Sequence, residues 1–119
     1  MRKEIGEVHE IDFDVAATLT NQAPSTDTAI PVDRASTIIV QADSATRTDN
    51  ASTDTDLNVI ASLDGSVYDT NPYASITNLG NDEIESLSVT PGVKSIKLRL
   101  DNNDGSHDAY IRARVLVIA

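Results

Sequence analysis

The 119-residue sequence contains no cysteine and no tryptophan, and only one phenylalanine and three tyrosines. The first absence excludes disulfides, zinc–thiolate centres and thiol nucleophiles together. The second removes the largest aromatic platform for sugars, leaving Tyr68, Tyr73 and Tyr110 beside Phe13. With aromatics at 3% and apolar residues at 39%, a core has to be assembled from Val, Ile, Leu and Ala. Long apolar runs are missing as well. Nothing in the sequence is long and apolar enough to span a bilayer, and the start "MRKEIGEVHE" lacks the apolar stretch of a signal peptide. The expectation is synthesis in a cytoplasm without export by an N-terminal route.

Basic residues are scarce, nine against nineteen acids, for a net charge of −10. A chain so charged repels nucleic acid and anionic membranes, so neither is expected as a direct partner. Helical spacing is the last thing lacking. No stretch of helical length repeats its apolar residues every three and four positions, and almost no helix is expected.

What is present is alternation. "IDFDVAATL" sets Ile11, Phe13, Val15, Ala17 and Leu19 on one face, with Asp12 and Asp14 on the other. "STIIVQA", "DLNVIASLD", "VKSIKLRL" and "YIRARVLVIA" alternate in the same way, each a half-buried strand. Shorter candidates are "AIPVD", "SVYD", "YASIT" and "IESLSV", the first an edge or bulge because of Pro31. Between them lie loops of Asn, Asp, Ser, Thr, Gly and Pro, and Asp64-Gly65 is a tight-turn signal. About eight short strands with turns between them predict an all-β chain, an antiparallel two-sheet β-sandwich of jelly-roll type. Residues 1–8 are expected to be an N-terminal arm and residues 9–119 one domain. The first residues of this arm, Met1, Arg2, Lys3, Glu4 and Ile5, cannot order themselves alone and are either a floppy leader or a partner-binding arm that docks onto a neighbour.

Chemistry is thin. His9 and His107 are the only histidines, and there is no Gly-X-Ser-X-Gly elbow, no paired-carboxylate spacing and no His-rich metal spacing. An enzyme is not expected, nor a cofactor. "DNNDGSHD" has the alternating acids of a calcium loop, but Gly105 falls one position early for an EF-hand and no Glu closes it. It reads as a hairpin loop of turn formers, with Asp101, Asn103, Asp104 and Asp108 kept as a candidate cation loop. "RTDNASTDTD" reads as a solvated, mobile connection, its Asn50-Ala51-Ser52 triplet without meaning in the absence of a secretory signal.

Charge distribution says more. Five of the nine bases, Lys94, Lys97, Arg99, Arg112 and Arg114, fall in the last 26 positions. If the final two strands form a hairpin, Arg99 lies opposite Arg112 and Lys97 opposite Arg114. Such facing like charges need an acidic cover. Asp82, Glu83 and Glu85 could provide it from within, or another subunit from outside. The same face runs on into Leu116 and Ile118, so that Lys97, Arg99, Arg112, Arg114, Leu116 and Ile118 together have the apolar centre and charged rim of an oligomer or partner interface.

In its charged leader "MRKEIGEVHE", its strand-and-turn run "LNVIASLDGSVYDTNPYASI" and its closing pair "VKSIKLRL…YIRARVLVIA", the chain resembles the capsid decoration (cement) proteins of tailed bacteriophages. That resemblance implies a structural virion protein on the capsid surface, frequently a trimer. Such a protein binds the major capsid protein over subunit junctions and stabilises the expanded shell. The alternatives are a tail, baseplate or head–tail adaptor subunit, and a carbohydrate-binding β-sandwich presenting Tyr68 or Tyr73.

Overall fold

In the computed structural model, residues 6–17, 23–24 and 29–119 are described. They form nine strands and, among the described residues, no helix. The strands are β1 (Gly6–Val15), β2 (Ala23–Pro24), β3 (Ile30–Pro31), β4 (Thr37–Asp43), β5 (Thr55–Ser62), β6 (Ala74–Leu79), β7 (Ile84–Val89), β8 (Ser95–Asn102) and β9 (Ala109–Ile118). One sheet has the order β1-β9-β4-β7; in the other, β8 is followed by β5 and β6, and both β2 and β3 pair with β8. Every pairing is antiparallel.

The two-residue strands β2 and β3 meet different parts of β8, at Leu100–Arg99 and Ile96–Ser95. Counted as one interrupted strand, they reduce the chain to eight positions. First then pairs with last, second with seventh, third with sixth and fourth with fifth, the ribbon of a jelly roll rolled into two sheets. The expected fold class is the observed one. Pro31 lies in a strand paired on one side only, with β8, the edge position expected because proline has no N–H to give a ladder.

Alternation puts one face of each strand inside. Phe13 and Val15, Ile38 and Val40, Leu57 and Val59, Ile96 and Leu98, and Ile111, Ala113 and Val115 are all buried between the sheets. Phe13 is the sole aromatic ring among them, so close packing rests on aliphatic shapes.

Two sequence expectations change at this level. Strand β1 opens at Gly6, so Gly6–Val8 pair with Ile118, Val117 and Leu116 in the sheet, and are not part of an arm. Met1–Ile5, expected as a leader or a partner-binding arm, lie outside the described residues. The final two strands are not a hairpin. β8 pairs with β5 and β9 with β1 and β4, so Asn103–Asp108 cross from one sheet to the other. Arg99 is therefore not opposite Arg112, nor Lys97 opposite Arg114.

Candidate interaction surface

Splitting β8 from β9 divides the expected basic patch between the two outer faces of the sandwich. On the β5–β8 side, Lys97 stands opposite Ile60 with its Nζ 4.5 Å from the centre of the Tyr68 ring, a cation–π contact. Arg99 stands opposite Asn58, its Nε 3.5 Å from Oδ1 of Asp101. Asn58 donates from Nδ2 to the other oxygen of Asp101 at 2.8 Å and accepts from the Ser75 hydroxyl at 2.6 Å. Burial pushes the Asp101 carboxyl up from its ordinary pKa, despite the nearby Arg99. Lys97 and Arg99 are thus each engaged on this face, although the buried Arg99 Nε and Asp101 Oδ1 approach without forming a hydrogen bond.

On the other outer face, β1, β9 and β4 carry ordered cross-strand rows. Glu10, Arg114 and Gln41 form one; Asp12, Arg112 and Asp43 form the next. Arg112 donates to both carboxylate oxygens of Asp12, at 2.9 and 3.3 Å. Arg114 donates to Gln41 at 2.9 Å and to Asp43 at 2.8 Å, and lies 3.4 Å from Glu10. Beyond them Arg47 reaches Asp14 at 2.9 Å and covers the Tyr110 ring at 5.3 Å. The acids paired with the arginines thus come from β1, the end of β4 and, for Arg47, also from Asp49 at 3.4 Å. Glu83 is spent elsewhere, accepting from the backbone N–H of Gly80 at 2.8 Å. Hydrogen bonds from Arg112 hold the Asp12 carboxyl below its ordinary pKa.

The next row along the same face is apolar: Val8, Leu116 and Ile39, with Ile118 beyond them. Leu116 and Ile118 are half-buried and face outward as expected, while Val8 is 64% exposed. A shallow hollow of about 210 Å³ lies among Val8, Ile39, Gln41, Ser86, Arg114 and Leu116. Greasy side chains therefore adjoin a ladder in which the three arginines Arg47, Arg112 and Arg114 are each paired with carboxylates, those of Glu10, Asp12, Asp14, Asp43 and Asp49.

The two ends of the sandwich differ. At one end lie the start of β1, the last residues of β9, the 32–36 and 90–94 connections and the 63–73 loop. Val8, Leu63, Val67 and Tyr73, four of the five exposed large apolar side chains among the described residues, belong to it. The opposite end, made by 44–54, 80–83 and 103–108, is polar and locked.

Asn102, fully buried there, accepts from the Ser52 hydroxyl at 2.8 Å and the Asp104 N–H at 3.1 Å. Its amide donates to His107 O at 3.0 Å and Val15 O at 3.3 Å. Asn50, 6% exposed, donates to Asn81 at 3.0 Å and accepts from the Tyr110 N–H at 2.9 Å. The 47–56 stretch is thus a packed connection rather than a solvated one.

The expected cation loop also closes on itself. Asp104 accepts from the N–H groups of Ser106 and Thr53, which hold its carboxyl well below the usual range. Asp108 accepts from Ala17 N–H at 2.8 Å, and Asp101 faces Asn58 on the outer surface. Asn103 donates its backbone N–H to Asp54 O at 2.9 Å. The four residues do not converge, and among the described residues no group of three or more His, Cys, Asp or Glu side chains could hold a metal ion. The tyrosines of the carbohydrate alternative are engaged too: the Tyr68 hydroxyl meets Ser95, and that of Tyr73 donates to Thr90 O at 2.9 Å.

Sequence reasoning placed Val8 in the arm and did not find Ile39, Asp43 and Arg47. The alternating acids of "EIDFDV" were visible, but which strand they would face was not.

The molecule is a jelly-roll scaffold whose one apolar end and adjoining charge-paired face are its most developed external surfaces. No family model matches the sequence, and no curated protein is similar to it. Solved structures are. The SPBc2 prophage-derived protein YomS is similar over 97% of this chain and 96% of its own, at 14% identity and a TM-score of 0.54. The PBSX exported protein XepA is similar at 13% identity and a TM-score of 0.61, over 95% of this chain and 36% of that one. A chain in the structure of infectious bursal disease virus, Gx strain, is similar at 10% identity and a TM-score of 0.54, over 98% of this chain and 32% of that one. The chain therefore spans nearly all of YomS and about a third of the other two. At such identities what is shared is the fold, and it is shared with prophage-derived and viral proteins.

Proposed function

We propose that this chain is a structural virion protein, a capsid decoration subunit that binds the major capsid protein over subunit junctions as a homo-oligomer, with a trimer favoured. The observation that carries the proposal is the outer face of β1, β9 and β4, where Val8, Ile39 and Leu116 lie exposed or half-buried beside a ladder whose arginines are all paired with carboxylates. On a chain of net charge −10, a patch whose carboxylates are paired with guanidinium groups repels an acidic partner less than unpaired carboxylates would. An apolar centre with a polar rim is what a protein partner fits. The jelly roll shared with prophage-derived and viral chains supports a place in a virion.

The work of such a subunit is mechanical. A plug that fits a junction only in its expanded geometry shifts the shell toward that geometry by mass action. Several weak contacts, multiplied by the copies of one oligomer, are enough.

The test is imaging of particles purified from producing cells by cryo-electron microscopy, with and without the chain. Extra density over capsid junctions, lost with the chain, is the expected result. Density confined to a tail ring or baseplate would move the protein there, and particles free of the chain would end the proposal.

A further inference from the structure

Strand β1 is an edge of its sheet. It pairs with β9 on one side, and among the described residues no strand pairs with the other. Which of its backbone groups are free follows from β9. Ile118 O accepts from Ser36 N–H at 2.7 Å, and Tyr110 N–H donates to Asn50 at 2.9 Å. Ser36 precedes β4 and Asn50 follows it, so both β9 residues aim their backbone groups away from β1. Their partners Gly6 and Asp14 therefore stand in non-hydrogen-bonded pairs, and so, two residues apart, do Val8, Glu10 and Asp12. The N–H and C=O groups of these residues point out from the free edge. The register runs from Gly6 to Val15 without a bulge, so the edge is straight enough to receive another strand.

The side chains beside those groups select what can be added. Glu10, Asp12 and Asp14 meet arginines on their β9 flank, yet their side chains remain 50, 46 and 66% exposed. With Asp43 and Asp49 they outnumber Arg47, Arg112 and Arg114, so the free flank is acidic. A second copy does not suit this edge. Its own β1 would set acids against acids, β7 carries Glu85, and the edge of β6 is interrupted by a register shift. β9 shows the pattern that does suit β1, with Arg112 opposite Asp12, Arg114 opposite Glu10 and Leu116 opposite Val8.

We propose that the free edge of β1 takes up an extended segment of the capsid partner as a further antiparallel strand, with Arg or Lys at alternate positions beside Glu10, Asp12 and Asp14 and an apolar residue beside Val8. This rests on the function proposed above and names the chemistry of the partner segment. Main-chain hydrogen bonds supply the adhesion, and the alternate cations set the register. The added strand would extend the outer face that Val8 and Leu116 share.

Hydrogen exchange on the full chain, with a synthetic peptide of alternating arginine and valine as long as the 10-residue β1, tests this. Exchange of the Val8, Glu10, Asp12 and Asp14 N–H groups should slow by about tenfold or more, while that of Glu7, His9, Ile11 and Phe13, already bonded to β9, stays as it was. A peptide of alternating glutamate and valine should bind at least about tenfold more weakly. Methylating the arginine backbone nitrogens keeps every charge but removes the N–H groups that face β1, and should abolish the protection. Methylating the valine nitrogens should leave it intact. No binding, protection that survives arginine methylation, or protection spread over the other acidic loops would each overturn the proposal. Particle association, measured in parallel, separates the two proposals. A chain that decorates particles but does not bind the peptide sinks the added strand alone, and one that binds the peptide but is absent from particles sinks the capsid reading.

Discussion

The guanidinium of Arg114 lies 2.8 Å from Oδ2 of Asp43, a carboxylate with no exposed side-chain surface. Asp43 is held from its other side as well, accepting from the N–H groups of Ala45 at 2.9 Å and Thr46 at 2.8 Å and from the Thr46 hydroxyl. Burial alone would raise its pKa. The hydrogen bonds of Thr46, Arg114 and Ala45 outweigh burial and bring it down to about 2. An arginine that reads in the sequence as a contact residue is therefore also a structural one.

Removing one partner of a buried, hydrogen-bonded pair leaves the other charged and unpaired. Arg114→Ala should lower the unfolding free energy by about 2–3 kcal/mol. Arg112→Ala should cost clearly less, because its partner Asp12 is 46% exposed and regains water. Urea unfolding of the two variants checks the contrast. Equal losses would mean that Asp43 is no more dependent on its arginine than Asp12 is.

Acid should destabilise the fold. Asp43, Asp12, Asp64 and Asp104 all have folded pKa values below their ordinary one. Each therefore contributes stability that is present above the unfolded pKa of about 4 and is lost as pH falls through the folded value. Asp101, raised by burial, acts in the opposite sense, its contribution being lost as pH rises through its folded pKa. Four groups outweigh one. Melting temperature should fall between about pH 5 and about pH 2, and Asp43→Asn should flatten that slope. A flat profile in wild type would contradict the assignment.

Asn102 should be the most sensitive polar position of the locked end. It joins β8, the 44–54 connection, the 103–108 crossover and the end of β1 through one fully buried amide. Asn102→Ala leaves two carbonyls, a hydroxyl and an N–H without that partner, at a cost of about 3 kcal/mol. Hydrogen exchange of Asp104 N–H should accelerate in the variant. Unchanged urea unfolding would show that the surrounding loops supply replacement partners.

The inward face of most long strands could be read from the sequence, because a period of two reports burial directly; β5 departs from it, with Asn58, Ile60 and Ser62 buried on its other face as well. "VKSIKLRL" and "YIRARVLVIA" put the right residues inside. Partners could not be read in the same way. In this topology only β5 and β6 are both consecutive and paired, so the local cue that joins neighbouring strands into hairpins fails at every other step. Hence the mistaken pairing of Arg99 with Arg112. Loop composition misled for a related reason. Asn50 and Ser52 belong to residue types that suit a solvated loop and a buried hydrogen-bond hub equally well. Only the meeting of the 44–54 connection with the end of β8, through Ser52 and Asn102, decides which they serve. Leu63 and Val67 flank a legible turn, yet alternation cannot say that no strand would cover them.

The contact face should separate from stability when changed at Val8 and Ile39. Both face outward, in the row with Leu116, and neither takes part in the charged ladder. Val8 is 64% exposed, so Val8→Asp should change unfolding free energy by less than about 1 kcal/mol. Ile39→Asp costs more, because a half-buried aliphatic on a central strand is lost, yet circular dichroism should remain that of a β protein. Particle association should fall by about tenfold or more for each, since a carboxylate placed in an apolar contact must be desolvated without a partner. Arg114→Glu makes the opposite comparison, since it sets a second carboxylate against buried Asp43 and should unfold the protein at lower urea before any binding is measured. If Val8→Asp and Ile39→Asp bind particles as wild type does, the partner surface lies elsewhere, and the ladder beside it serves the fold alone.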